Sequence, residues 1–164
     1  MALNKHHFKD LIEAVLLNIG LHSENVVQLL LATAAQESTF GTHLKQLGNG
    51  PALGIFECEP ATHKDIWANY LWFKQPLAEK ILRYVPDAFR GVDHYQPIPD
   101  ANILKWNLAY AICVARVQYR RSPMAIPELG DIEGMWRIYK EAYNTLRGRA
   151  TRDQFMYNYN KYVA

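Results

Sequence analysis

Apolar side chains recur along most of this chain at three- and four-residue intervals, and that spacing restricts it to a helical architecture. Residues 7–19 place Phe8, Leu11, Ile12, Val15, Leu16 and Ile19 on one helical face, and Gly20 supplies the stop. Ser23 stands where the next helix needs its N-cap. That helix continues with Val27, Leu30, Leu31 and Ala34. Three residues further along the same stripe stands Glu37, where another aliphatic residue would be expected. Thr39 and Gly41 mark the helix end.

Glycines then crowd the chain at 41, 48, 50 and 54, with Pro51 among them, which reads as a loop. Its short apolar pieces, Leu53, Ile55 and Phe56, suit a small hairpin or ribbon. Pro60 fits the first turn of a helix running to about residue 72. Residues 75–85 form a further short helix that Pro86 limits, and 86–100 reads as a surface loop with three prolines. Residues 100–120 read as the longest helix, apolar nearly all round and therefore central. Another helix is expected over 131–146, stopped by Gly148, and Thr151 with Gln154 makes a capping box for the last. No internal repeat or low-complexity tract interrupts the pattern. The expectation is one mainly α domain over residues 1–164, with a small hairpin or glycine-rich loop beside its cleft.

Composition narrows the function classes. A length of 164 residues with 49% hydrophobic content suffices for a substantial core, and a charged fraction of 21% argues against disorder. A net charge of +2 is mildly basic and only weak evidence for a nucleic-acid face, so a helical nucleic-acid binder is a further rival reading and no nucleic-acid partner is expected. No apolar run approaches the roughly 18 residues that span a bilayer, so no membrane insertion is expected. The N-terminus has no basic region followed by an apolar segment and a small-residue cleavage site. Cys58 and Cys113 stand at no metal or redox spacing and read as buried thiols, with a disulfide as the alternative outside a cytoplasm. The histidines, His6, His7, His22, His43, His63 and His94, form no zinc motif, so neither metal nor cofactor is expected. His63 reads as a surface or cleft-rim residue. Gly48 to Gly54 is followed by no Gly-Lys-Ser/Thr, which excludes a phosphate loop. Trp67, Tyr70, Trp72 and Phe73 suit core packing, with one or two at a cleft edge to stack on sugar rings. Arg120, Arg121, Arg147, Arg149 and Arg152 cluster at helix ends, where they complement the dipole.

The carboxylates carry the chemistry. A glutamate on an apolar stripe, near a helix C-terminus, is pushed toward its protonated form by burial and by the helix dipole. A protonated glutamic acid is what glycoside cleavage needs, because the leaving oxygen must receive a proton. An ion pair from Glu37 to Arg116 or Arg120 is the competing structural reading. Glu57 and Glu59 lie two apart, so on an extended segment they share a face, and either is a candidate second carboxylate. Glu59, before Pro60, also suits a helix N-terminus.

These residues resemble the lysozyme-like superfamily, specifically soluble lytic transglycosylase-type domains and their phage relatives. A helix ends in Ala35-Gln36-Glu37-Ser38 with Phe40 after it; Gly54-Ile55-Phe56-Glu57-Cys58-Glu59-Pro60-Ala61-Thr62 follows. Ala142-Tyr143-Asn144 resembles the family's late aromatic-Asn pair, and Asn107 its further asparagine. The resemblance spans about residues 24–145 and is densest over 35–62. It implies cleavage of the β-1,4 bond between N-acetylmuramic acid and N-acetylglucosamine in peptidoglycan. Glu37 would be the general acid; in the transglycosylases that residue then serves as base for attack by the muramic acid C6 hydroxyl. Ser38, Phe56, Glu59, Tyr143 and Asn144 would support the site or hold substrate. Glu57 stands where the family usually carries glutamine, which makes a hydrolase a second outcome. The resemblance also implies manufacture in a bacterial cytoplasm and delivery to the periplasm or wall, with phage virion or lysis proteins as partners. A non-catalytic, tail-associated or wall-binding phage protein of the same fold is the rival from another class.

Overall fold

The computed structural model of the chain describes residues 2–92, 95–145 and 148–164. Seven α-helices carry the described fold: α1 (Lys5–Ile19), α2 (Glu24–Ser38), α3 (Pro60–Asn69), α4 (Gln75–Leu82), α5 (Leu108–Arg120), α6 (Ile132–Ile138) and α7 (Arg152–Tyr162). The fold is mainly α. Extended pairing among the described residues amounts to two isolated antiparallel bridges, Lys45 with Leu53 and Leu53 with Cys58.

Local chemistry explains most boundaries. The Asn4 side chain accepts from the His6 and His7 amides, starting α1, and Gly20 ends it in the left-handed region at φ 75°. Ser23 occupies the N-cap position of α2 with extended backbone, but its side chain makes no capping bond. The capping box at Thr151 and Gln154 is present in both directions.

Four expected helices are shorter or broken; that over 75–85 ends as α4 at Leu82. The long helix over 100–120 is two pieces, a 3-10 turn at Ala101–Lys105 and then α5, so at 13 residues α5 is shorter than α1 and α2 at 15. Asn107 causes the break: its Oδ1 accepts from the Tyr110 amide and caps α5, and its Nδ2 donates to Tyr84 O at 2.7 Å. The helix expected from Pro60 to residue 72 stops at Asn69, because Tyr70 leaves helical geometry at φ −139°, and resumes as a 3-10 turn, Leu71–Phe73. The helix over 131–146 becomes α6 followed by a π-helical turn, Tyr139–Asn144. Leu146, with the calls made on His94 and Arg147, lies outside the described residues.

Helix α5 is central, as its all-round apolarity predicts: every residue from Tyr110 to Val117 is buried, and it lies against α1, α2 and α3. One hydrophobic cluster runs from Phe8 on α1 to Tyr159 on α7. Three polar contacts tie α5 into register. His63 Nε2 and Tyr110 Oη lie 2.6 Å apart, and Trp67 Nε1 donates to that same hydroxyl at 2.8 Å. Arg121 pairs with Asp65 at 2.7 Å. His63 is therefore a buried core residue and not a rim residue; its imidazole is pushed down to about 4 by burial. Trp67 lies in the core beside Trp72, Phe73 is exposed, and none of the 67–73 aromatic group lines the cleft described below. Cys58 and Cys113 are buried free thiols, and burial pushes Cys58 up to about 12, where it is unreactive. No described helix is long and apolar enough to cross a membrane.

Candidate active site

Three segments converge on a cleft of about 640 Å³, and each is shaped by an unusual backbone. The first is the end of α2. Thr39 and Phe40 both adopt left-handed geometry, at φ 51° and 57°, which turns the chain sharply after Glu37 and Ser38. Ser38 locks that turn: its Oγ donates to Ala34 O at 3.1 Å and accepts from the Gly41 amide at 2.9 Å. It is fully buried and lies outside the cleft lining, so the expectation that Ser38 contacts substrate is corrected. Its hydrogen-bonding capacity is spent on the turn that follows Glu37.

The second segment is the turn over 53–58. Leu53 and Cys58 exchange both backbone hydrogen bonds, at 2.9 and 3.0 Å, and the Gly54 amide donates to Leu44 O at 2.9 Å. Gly54 sits at φ 80°, and a Cβ there would stand 2.2 Å from Leu104 O, so this position accepts glycine alone. Glu57 is itself left-handed at φ 44°. Residues 57 and 59 are thus not on a common extended strand, and the alternation argument fails; a turn brings both Glu57 and Glu59 into the cleft lining instead. Phe56 is also corrected. Its ring is buried against Phe8, at 6.1 Å between centroids, and it offers the site only its carbonyl.

The third segment is the π-helical turn after α6. Widening the helix by one residue rotates the side chains that follow, and such turns recur at functional sites. Here Tyr139 Oη donates to Glu37 Oε1 at 2.7 Å, and Tyr143 Oη donates to Phe56 O at 2.7 Å. The two rings stack at 6.2 Å, and Tyr143 stacks in turn on Tyr119 at 5.3 Å. Tyr143, expected to help position Glu37 or the substrate, lines the cleft and fastens the turn that carries Glu57. The partner of Glu37 is Tyr139, which sequence reasoning missed; its spacing of four from Tyr143 was the available signal. Asn144 lines the cleft, with its Oδ1 accepting from Lys140 Nζ at 2.8 Å. Lys140 also reaches Gly148 O and Ala150 O, holding that wall of the cleft in place. Between them Thr145, a β-branched residue, is held at φ 65° and ψ 162°, a region otherwise left to glycine.

The electrostatics follow from this enclosure. Glu37 makes no ion pair among the described residues, and the buried Arg116 bonds instead to Leu21 O at 3.3 Å, so the arginine reading fails. Burial pushes the Glu37 carboxyl up to about 8; the Tyr139 hydrogen bond opposes the rise, and the charge of Glu57 adds to it. Burial likewise pushes Glu57 up to about 7. Near neutral pH Glu37 therefore holds its proton while Glu57 is partly ionised. Oε1 accepts from Tyr139, which leaves Oε2 to carry the acidic proton. The pair is coupled, so its two titrations belong to both groups. Of the basic residues, Arg149 lines the cleft, Arg121 pairs with Asp65 and Arg152 pairs with Glu133. Away from the cleft, Glu13, His22 and Glu24 bring ligand atoms within 4.8 Å of one another. Lys9 already engages Glu13 there, at 3.2 Å.

The chain matches no protein-family model, no curated protein and no solved structure.

Proposed function

We propose that the chain is a peptidoglycan-degrading enzyme of lysozyme-like fold that cleaves the β-1,4 bond between N-acetylmuramic acid and N-acetylglucosamine. The observation that carries this reading is the buried Glu37, hydrogen-bonded by Tyr139 at the wall of an open polar cleft that a second carboxyl, Glu57, also lines; its burial favours the protonated acid. A neutral carboxylic acid at pH 7 can protonate a glycosidic oxygen, and the departing sugar then leaves oxocarbenium character behind. An ionised Glu57 supports that positive charge or activates water against it. Where no water is activated, the ionised Glu37 takes the proton of the muramic acid C6 hydroxyl and an anhydro sugar forms. The first course is a muramidase and the second a lytic transglycosylase. In keeping with the resemblance, we place the enzyme among phage lytic proteins acting at the wall of a bacterial host.

Mass spectrometry of muropeptides released from purified peptidoglycan tests the reading. Wild type should release fragments and Glu37→Gln should lower the rate by about a hundred- to ten-thousand-fold while remaining folded. Reducing muramic ends identify hydrolysis, and ends lighter by one water identify the transglycosylase. Equal release by both proteins would remove Glu37 from catalysis. No release by either would favour the non-catalytic, wall-binding alternative.

A further inference from the structure

The cleft wall over residues 148–154 carries hydrogen-bond donors that the described structure leaves unused. Arg149 is exposed, lines the cleft and forms no ion pair or hydrogen bond among the described residues. Its backbone is pinned on both sides, because Lys140 Nζ donates to Gly148 O at 2.6 Å and to Ala150 O at 3.3 Å. The lysine of this wall is thereby spent on carbonyls, and the arginine is left to the cleft. Gln154, exposed and in the same lining, has its amide oriented by the capping box. Its Oε1 accepts from the Thr151 amide at 3.2 Å, which leaves the two Nε2 protons uncommitted. This wall therefore offers donors, whereas the carboxyls of the lining, Glu37, Glu57 and Glu59, belong to other segments.

Resting on the reading above, we propose that Arg149, supported by Gln154, is a subsite for a carboxylate of the substrate strand, so that the enzyme selects muramic acid by its anionic substituent. The sugar rings of peptidoglycan are uncharged when N-acetylated. Carboxylates occur only on muramic acid, in the peptide it carries or on the lactyl group itself once that peptide is removed. A carboxylate accepts and never donates, and a planar guanidinium meets it with two parallel N–H groups. Hydroxyl and acetamido groups cannot use both at once. A carboxylate entering a cleft that already holds Glu57 and Glu59 is repelled by them, and the one cation on this wall fixes where it can sit. A chitin strand carries no carboxylate and gains nothing there.

The test compares wild type, Arg149→Gln, Arg149→Lys and Arg83→Gln, the last replacing an exposed arginine outside the cleft lining. The substrates are peptide-bearing strands, strands stripped of their peptides by an amidase, and both after carbodiimide amidation of their carboxylates. Arg149→Gln should raise KM on unmodified strands about three- to tenfold with kcat little changed, as for a bidentate pair in an open cleft. Amidation should raise the wild-type KM by a similar factor and leave that of Arg149→Gln unmoved. Arg149→Lys keeps the charge without the fork and should fall between them. An effect confined to peptide-bearing strands identifies a peptide carboxylate, and one that persists on stripped strands identifies the lactyl carboxylate. An unchanged KM in Arg149→Gln, a wild-type KM indifferent to amidation, or an equal rise in Arg83→Gln would overturn the assignment. A wild type that cleaves peptidoglycan with an indifferent Arg149 sinks this inference alone. A wild type without glycan cleavage sinks the proposed function; co-sedimentation with the same strands then reads the subsite, and absent or Arg149-independent binding overturns it.

Discussion

Replacing Tyr139 by phenylalanine tests how Glu37 is tuned, because it removes one atom and keeps the buried ring. The lost contact is the 2.7 Å hydrogen bond from the tyrosine hydroxyl to Glu37 Oε1. That donor favours the ionised carboxylate, so it holds Glu37 below where burial alone would put it. A hydrogen bond to a charged group is worth about 1.5–3 kcal/mol, and about 1.4 kcal/mol corresponds to one pH unit. Glu37 should therefore rise from about 8 by roughly one to two units in Tyr139→Phe. A general acid works while protonated, so activity is present below its pKa and is lost as pH rises through it. The basic limb of the kcat/KM profile should accordingly move upward by the same amount. Rates of muropeptide release between pH 5 and about 10.5 measure the limb, and carboxyl ¹³C NMR of Glu37 measures the titration directly. A limb that stays in place or moves to lower pH would refute the account of Glu37 as a buried acid restrained by Tyr139.

Other perturbations probe the same construction. Glu37 has a folded pKa raised above its ordinary 4.5, so the stability linked to its proton is fully present below 4.5 and is lost as pH rises through about 8. Glu37→Gln, which cannot ionise, should match wild type in Tm near pH 4 and melt distinctly higher near about pH 9; calorimetry across that range checks the sign. In Glu57→Gln an acid limb near 7 should disappear if the products carry reducing ends, and the profile should keep only its basic limb. Gly54→Ala places a methyl against Leu104 O at a left-handed φ, and should lose about 1–3 kcal/mol in urea unfolding along with activity, because the turn presenting Glu57 must shift.

Much of this molecule was legible in the order of its residues. The period of the apolar positions specified α1, α2 and the buried character of α5, because side chains on a helix meet the core every three or four residues regardless of what they meet. Gly20, Pro60 and the Thr151–Gln154 box marked ends for reasons confined to a few neighbouring residues. Glu37 was visible as a carboxyl on an apolar stripe. What the period concealed were interruptions within continuous apolar runs: Asn107 caps α5 partway along one, and the π-helical turn replaces the end of another.

Partnerships across the chain needed the tertiary structure. The bond from Tyr139 to Glu37 joins residues 102 apart, and the choice of Tyr139 over Tyr143 depends on a helical widening that no local pattern announces. Ser38 and Phe56 sit inside site-like motifs, yet packing turned one into a turn lock and the other into core. The enclosure of the Gln118 amide oxygen on an apolar helix is likewise a product of packing between distant segments. Sequence alone determined which segments are helical in character and that a carboxyl would be carried into an apolar setting, since both depend on short-range sterics and side-chain polarity. The closed packing of distant segments decided how strongly that carboxyl is desolvated, which hydroxyl restrains it and which second carboxyl it feels, because burial and electrostatic coupling depend on distance in space and not along the chain.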